Sequence, residues 1–113
     1  MIFCSKNEDD IPAWKLVKAR KKTVTRRVKP ETIGAIRAVC PGRGKHAVCK
    51  IKILDCYPAK QWDSFHRNMP KALKAEAKRE GFKSWAGLMG WFLMKYGTIP
   101  DGLWRIEFKV VKG

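Results

Sequence analysis

The sequence predicts a small mixed α+β domain, with helices set around a curved sheet or partly closed barrel. Three observations carry that prediction. The chain has 113 residues, the size of one compact domain with a core that forms without staples. Two segments, one near the middle and one at the end, alternate apolar and charged residues with the period of a strand. Between them lie two segments of helical character, so the order helix, strands, helix pair, strand fits an α+β domain.

Each element has its own signal. Residues 9–20 carry an acidic start at Asp9 and Asp10, Pro12 in the first turn and apolar positions at Ala13, Leu16 and Val17, which predicts a short helix. Lys22 to Val28 is rich in β-branched residues and stops before Lys29-Pro30, where the proline ring disfavours helix in the residue ahead of it. A strand is expected there, a second at 36–40, and then a basic turn from Pro41 to Lys45. Ala47, Cys49, Ile51 and Ile53 fall on one face and Lys50 and Lys52 on the other, a half-buried strand. Residues 57–69 read as irregular. Pro70 to Glu80 is built of strong helix formers and closes at Gly81. Ser84 caps a further helix whose stripe, Trp85, Leu88, Met89, Phe92, Leu93 and Tyr96, is expected to face a core, and Gly97 ends it. Trp104, Ile106, Phe108 and Val110 alternate with Arg105, Glu107 and Lys109 in a terminal strand.

Composition narrows the function. There are 25 Lys plus Arg against 10 Asp plus Glu, a net charge of +15, and the hydrophobic fraction is 45%. A disordered basic tail lacks that much apolar material, so the chain is expected to fold. No apolar run nears the ~20 residues of a membrane-spanning helix, and the acidic opening is unlike a signal peptide, so a cytoplasmic protein with no membrane partner is expected. Cys4, Cys40, Cys49 and Cys56 form no Cys-x-x-Cys pair. They read as reduced thiols, with no metal and no cofactor expected.

The charge is concentrated. Lys15, Lys18, Arg20, Lys21, Lys22, Arg26, Arg27 and Lys29 follow one another with no acid among them. Such a cluster suits a polyanion, because phosphate neutralisation by Lys and Arg dominates nucleic-acid affinity. RNA or single-stranded nucleic acid is therefore the expected partner, with Lys18, Arg20, Lys21, Arg26, Arg27, Lys29, Arg43 and Lys45 as the binding residues and a monomer as the acting unit. Trp14 and Trp62 are candidate base-stacking groups. Strand alternation puts Thr25 and Arg27 on one face and Val24 and Arg26 on the other, with Lys22 at the edge, where its side chain is able to curl in.

Three motifs in this order, Lys22-Thr23-Val24-Thr25-Arg26-Arg27, then Glu80-Gly81-Phe82 with Ser84, then Trp104 with Ile106-Glu107-Phe108, resemble the ASCH domain family of the PUA-like superfamily. The form of the first motif is similar to small stand-alone ASCH proteins of phage and prokaryotic genomes. The resemblance spans most of the chain and implies one domain over 1–113, a small PUA-like β-barrel with flanking helices, and a cleft suited to RNA or a nucleotide. One branch, the bacterial N(4)-acetylcytidine amidohydrolases, is similar at the same positions. That likeness implies catalytic roles for Lys22, for Thr25 as nucleophile and for Glu80. The chain departs from the family where Gly34-Ala35 stands in place of the usual Gly-Asp.

The expected function is thus nucleic-acid binding with a nucleotide-sized cleft. The alternatives are deacetylation of N(4)-acetylcytidine, a modified nucleoside, by Lys22, Thr25 and Glu80; a ribonuclease using His46 or His66 as acid; and a charge-steered partner of an acidic protein.

Overall fold

In the computed structural model, which describes residues 1–112, the chain runs α1 (Ala13–Lys18), β1 (Val24–Arg27), β2 (Ile36–Val39), β3 (Cys49–Pro58), α2 (Ala59–His66), α3 (Pro70–Arg79), α4 (Trp85–Tyr96) and β4 (Trp104–Lys112). The strands form one antiparallel sheet in the order β1-β4-β3-β2. The mixed α+β class is as the sequence predicts, but the sheet does not close into a barrel. Its four strands are too few to curl round until β1 meets β2. The N-terminal segment spans the gap between them instead: Ile2 makes a single parallel bridge to Cys40 beyond β2, and Arg27 on β1 donates to the Ile2 carbonyl at 2.6 Å.

The alternation predicted for β3 and β4 builds the main core. Ile51, Ile53, Ile106 and Phe108 pack with Val17, Val39 and Phe3. Each large apolar side chain so buried contributes about 1.5–3 kcal/mol of transfer free energy. A second cluster, Ala59, Leu88, Phe92 and Leu103, sits where α2 and α4 meet the start of β4. None of the described helices is long and apolar enough to cross a membrane.

Three elements differ from the sequence reading. First, α1 is shorter and has no acidic cap: the Asn7 side-chain oxygen accepts from the backbone N–H of Asp9 and Ile11, both at 3.0 Å. The resulting turn puts Asp10 at a φ of 61°, and Pro12 then precedes the helix. Second, residues 57–69 are not irregular. Strand β3 continues to Pro58 and α2 follows, because Ala59, Trp62, Asp63 and His66 share one face at helical spacing. Third, the stripe of α4 is narrower than predicted, with Leu88 and Phe92 buried while Leu93 and Tyr96 are 49% and 42% exposed. The ends of α4 are as predicted: Ser84 Oγ accepts from the Gly87 N–H at 3.0 Å, and Gly97 takes the left-handed conformation at φ 75°.

Candidate functional site

The site forms where β1, an edge strand, meets the C-terminal end of α3. Helix α3 carries Leu73, Glu76, Ala77 and Glu80 along one stripe, so two carboxylates travel inward with the apolar residues. Glu76 and Glu80 are 2% and 4% exposed. The helix stops at Glu80 because Gly81 adopts φ 93°, a conformation glycine takes without steric cost. That turn directs the Glu80 carbonyl at Lys22.

Lys22 lies just before β1 and folds back, as its place at the strand's edge allows. Its Nζ donates to the carbonyls of Glu80 at 2.8 Å and Val24 at 3.0 Å, and stands 3.7 Å from the Glu80 carboxylate. Burial pulls its pKa down to about 8; Glu80 opposes that shift, and the charges of Arg27 and Arg26 add to it. Two carbonyls satisfy the two N–H donors that a neutral amine keeps, which leaves its lone pair unassigned.

Arg26 is the centre of a buried ion-pair network. It pairs closely with Glu80, with Asp63 at 2.9 Å and with Glu76 at 3.0 Å. Arg105 on β4 grips Glu76 with two bonds, at 2.5 and 2.9 Å, and reaches the Tyr57 hydroxyl at 3.2 Å. Indole rings cover the network: the Arg26 guanidinium lies 5.3 Å from Trp62 and 5.4 Å from Trp85. Burial works against the charge of Arg26, yet Glu80, Asp63 and Glu76 outweigh it and hold its pKa above the arginine range. Burial likewise opposes ionisation of Glu76, and its bonds from Arg105 and Arg26 overcome this and hold its carboxyl below the usual range.

Lys22, Thr25, Arg26, Arg27 and Glu80 all line one cavity of about 280 Å³, near the lower size limit of small-molecule sites. Strand alternation does not separate them: Lys22 is outside the ladder, and the long Arg26 side chain reaches back to α3. Phe82, Trp91, Phe92 and Tyr96 give the cavity an aromatic wall. These aromatics were not singled out as ligand-facing by the sequence. Of these, Phe92 and Tyr96 belong to the α4 stripe, whereas Trp91 lies off that stripe and Phe82 precedes the helix.

The other predicted residues separate into two groups. Lys18, Arg20, Lys21, Lys29, Arg43 and Lys45 are exposed. Arg26 does not belong with them, since three carboxylates hold its guanidinium inside, and Arg27 is half-buried against Phe3. Trp14 packs on the main core and Trp62 stacks on His66 and Trp85, at 4.0 and 5.9 Å between ring centres. Neither is an open platform. His46 is exposed, and the His66 ring nitrogen lies 2.8 Å from the Trp62 carbonyl, so neither imidazole lines the cavity. Among the described residues no three His, Cys, Asp or Glu side chains converge as a metal would need.

No protein-family model and no curated protein matches the chain. Two solved structures share its fold. One is an ASCH domain from Lactobacillus crispatus, with a TM-score of 0.59 and 18% identity over 89% of this chain and 71% of that one. The other is a DUF984 protein from Enterococcus faecalis, with a TM-score of 0.57 and 18% identity over 88% of this chain and 70% of that one. The chain therefore has an ASCH-type fold.

Proposed function

We propose that this ASCH-type domain binds RNA or another single-stranded nucleic acid, carrying the strand on its exposed cations and taking one base into the cavity beside Lys22, Thr25 and Glu80. The observation that carries the reading is the cavity's make-up. Aromatic side chains suited to a base face share its wall with an amine, a hydroxyl and a carboxylate suited to a base edge. Stacking on such side chains contributes about 1–3 kcal/mol per base. The net charge of +15 supplies the second part, since it greatly exceeds what an uncharged nucleoside makes use of. All four cysteines are free, which suits a reducing compartment, and we place the domain in the cytoplasm. The test is fluorescence anisotropy of a labelled single-stranded RNA at two salt concentrations. With six exposed cations on phosphates, affinity falls about 10²-fold or more between about 50 and 200 mM salt. An affinity unchanged by salt contradicts the reading.

The depressed pKa of Lys22 favours a second reading, hydrolysis of an amide on the bound base. At pKa about 8, about a quarter of the amines are neutral near pH 7.5, against about one in a thousand for an ordinary lysine. In that reading the neutral Lys22 takes the Thr25 hydroxyl proton while Oγ attacks the amide carbonyl carbon. The C–N bond then breaks, the proton passes to the leaving amine, and water releases the acyl group from Thr25. The assay is release of cytidine and acetate from N(4)-acetylcytidine by the wild type and by Thr25→Ala. Turnover confined to the wild type supports hydrolysis, and no turnover in either leaves binding alone.

A further inference from the structure

We infer that the cavity contains a phosphate subsite formed by Arg27, Lys29 and Lys95, so that its ligand is a nucleotide unit with its phosphoester rather than a free nucleoside. The inference rests on the reading of the cavity as a base-binding site. It starts from an imbalance of charge. Lys6, Lys22, Arg26, Arg27, Lys29 and Lys95 all line this cavity, and Glu80 is the one carboxylate among its lining residues. Lys22 and Arg26 share Glu80, and Lys6 pairs with Asp10 at 3.5 Å. Arg27, Lys29 and Lys95 form no ion pair among the described residues.

Arg27 is the informative member. Its side chain is half-buried, with the guanidinium 4.5 Å above the Phe3 ring and one N–H donating to the Ile2 carbonyl at 2.6 Å. Those contacts fix the guanidinium in place but bring it no negative charge. Glu31 acts on it from further away, and that carboxylate is taken by Arg37 at 3.0 Å. A charge withdrawn from water without a counter-ion is costly, and the cost is recovered when an anion arrives. A planar guanidinium matches the oxygens of a phosphate with paired hydrogen bonds. Lys95 is held near the same cavity by two aromatic faces, its Nζ 4.8 Å from the Trp91 ring centre and 5.3 Å from that of Tyr96. Trp91 and Tyr96 also line the cavity, so an ammonium stands beside aromatic surface suited to a base. A base and its own phosphate are thereby addressed by adjoining groups.

The phosphoester belongs either to a free mononucleotide or to a polynucleotide, and calorimetric titration separates the two. The probes are the four nucleosides, their monophosphates and the corresponding dinucleotides with an internal phosphodiester. The wild type is expected to bind at least one monophosphate or dinucleotide about tenfold or more tightly than its nucleoside, as a charge-assisted pair allows. Arg27→Gln is expected to erase that gap while leaving nucleoside affinity within about twofold. Lys95→Gln, at an exposed position, narrows the gap without the risk of unfolding, and Lys74→Gln, exposed on α3 and outside the cavity, leaves it intact. Preference for the dinucleotide assigns the phosphate to a polymer and preference for the monophosphate to a free nucleotide; in both cases the subsite stands. Equal affinity for nucleoside and phosphorylated forms overturns the subsite while leaving base binding in place. A gap erased by Lys74→Gln but not by Arg27→Gln overturns it too. Absence of binding by nucleosides and phosphorylated forms alike removes the base-binding reading together with it.

Discussion

The buried amine of Lys22 makes this protein gain stability as pH rises. Burial lowers its pKa in the folded chain to about 8 from 10.5, and the unfolded chain keeps the ordinary value. Between those two values the unfolded state holds a proton that the folded state has released. Stability increases with pH wherever the unfolded state binds more protons, so the gain sets in near pH 8 and is complete above about 10.5. From these values the gain between about pH 7 and about pH 9.5 is about 2 kcal/mol. Other lysines and tyrosines titrate in the same range, so the assay compares the wild type with Lys22→Met. Guanidinium chloride unfolding, followed by tryptophan fluorescence at both pH values, gives four stabilities. The difference between the two proteins is expected to shift by about 2 kcal/mol in favour of the wild type at the higher pH. A difference that stays constant, or shifts the other way, means that Glu80 holds the ammonium charged against its burial. That result would refute the argument for a neutral amine and, with it, the proton-accepting role of Lys22.

The remaining predictions concern the same region. Glu76→Gln leaves Arg26 and Arg105 partly unpaired in the interior and is expected to cost about 3–5 kcal/mol, read from denaturant unfolding. Gly81→Ala forces a side chain into the left-handed region at φ 93° and places a Cβ 2.8 Å from Leu16 Cδ1, so it costs about 1–2 kcal/mol or more. If the amide is hydrolysed, initial rates on N(4)-acetylcytidine climb through pH 7 to 9 with a midpoint near the Lys22 value of about 8, and Lys22→Met abolishes them.

Much of the fold was legible because burial imposes simple periods on sequence. Ile51, Ile53, Ile106 and Phe108 had to alternate with charged neighbours on half-buried strands, and Ser84 and Gly97 carry the chemistry of helix ends. Helix α2 was missed because Trp62 and Asp63 face the buried arginines rather than an apolar core, so its inward face contains a carboxylate and an indole. Closure into a barrel does not follow from the alternation of the central strands, because strand number and stagger decide whether a sheet meets itself, and four strands are too few. In the site, Lys22, Thr25 and Glu80 were singled out and lie on one cavity, but the rest of the ion-pair network around Arg26 was not. Glu76, Asp63 and Arg105 are far apart in sequence, and pairing across such separations leaves no local pattern. The two acids on the inward stripe of α3 were the available signal, since an acid goes inward only where a cation meets it.

Nucleic acid is expected to enter the cavity rather than rest on the basic surface alone. An amide-resolved NMR titration with a short single-stranded RNA tests it most directly. Shifts are expected at Thr25, Arg27, Lys29, Glu80, Phe82 and the last turn of α4 as well as at Lys18, Lys21 and the turn containing Arg43 and Lys45. Shifts confined to the exposed cations, with the resonances around Lys22, Thr25 and Glu80 unmoved at saturation, would contradict it.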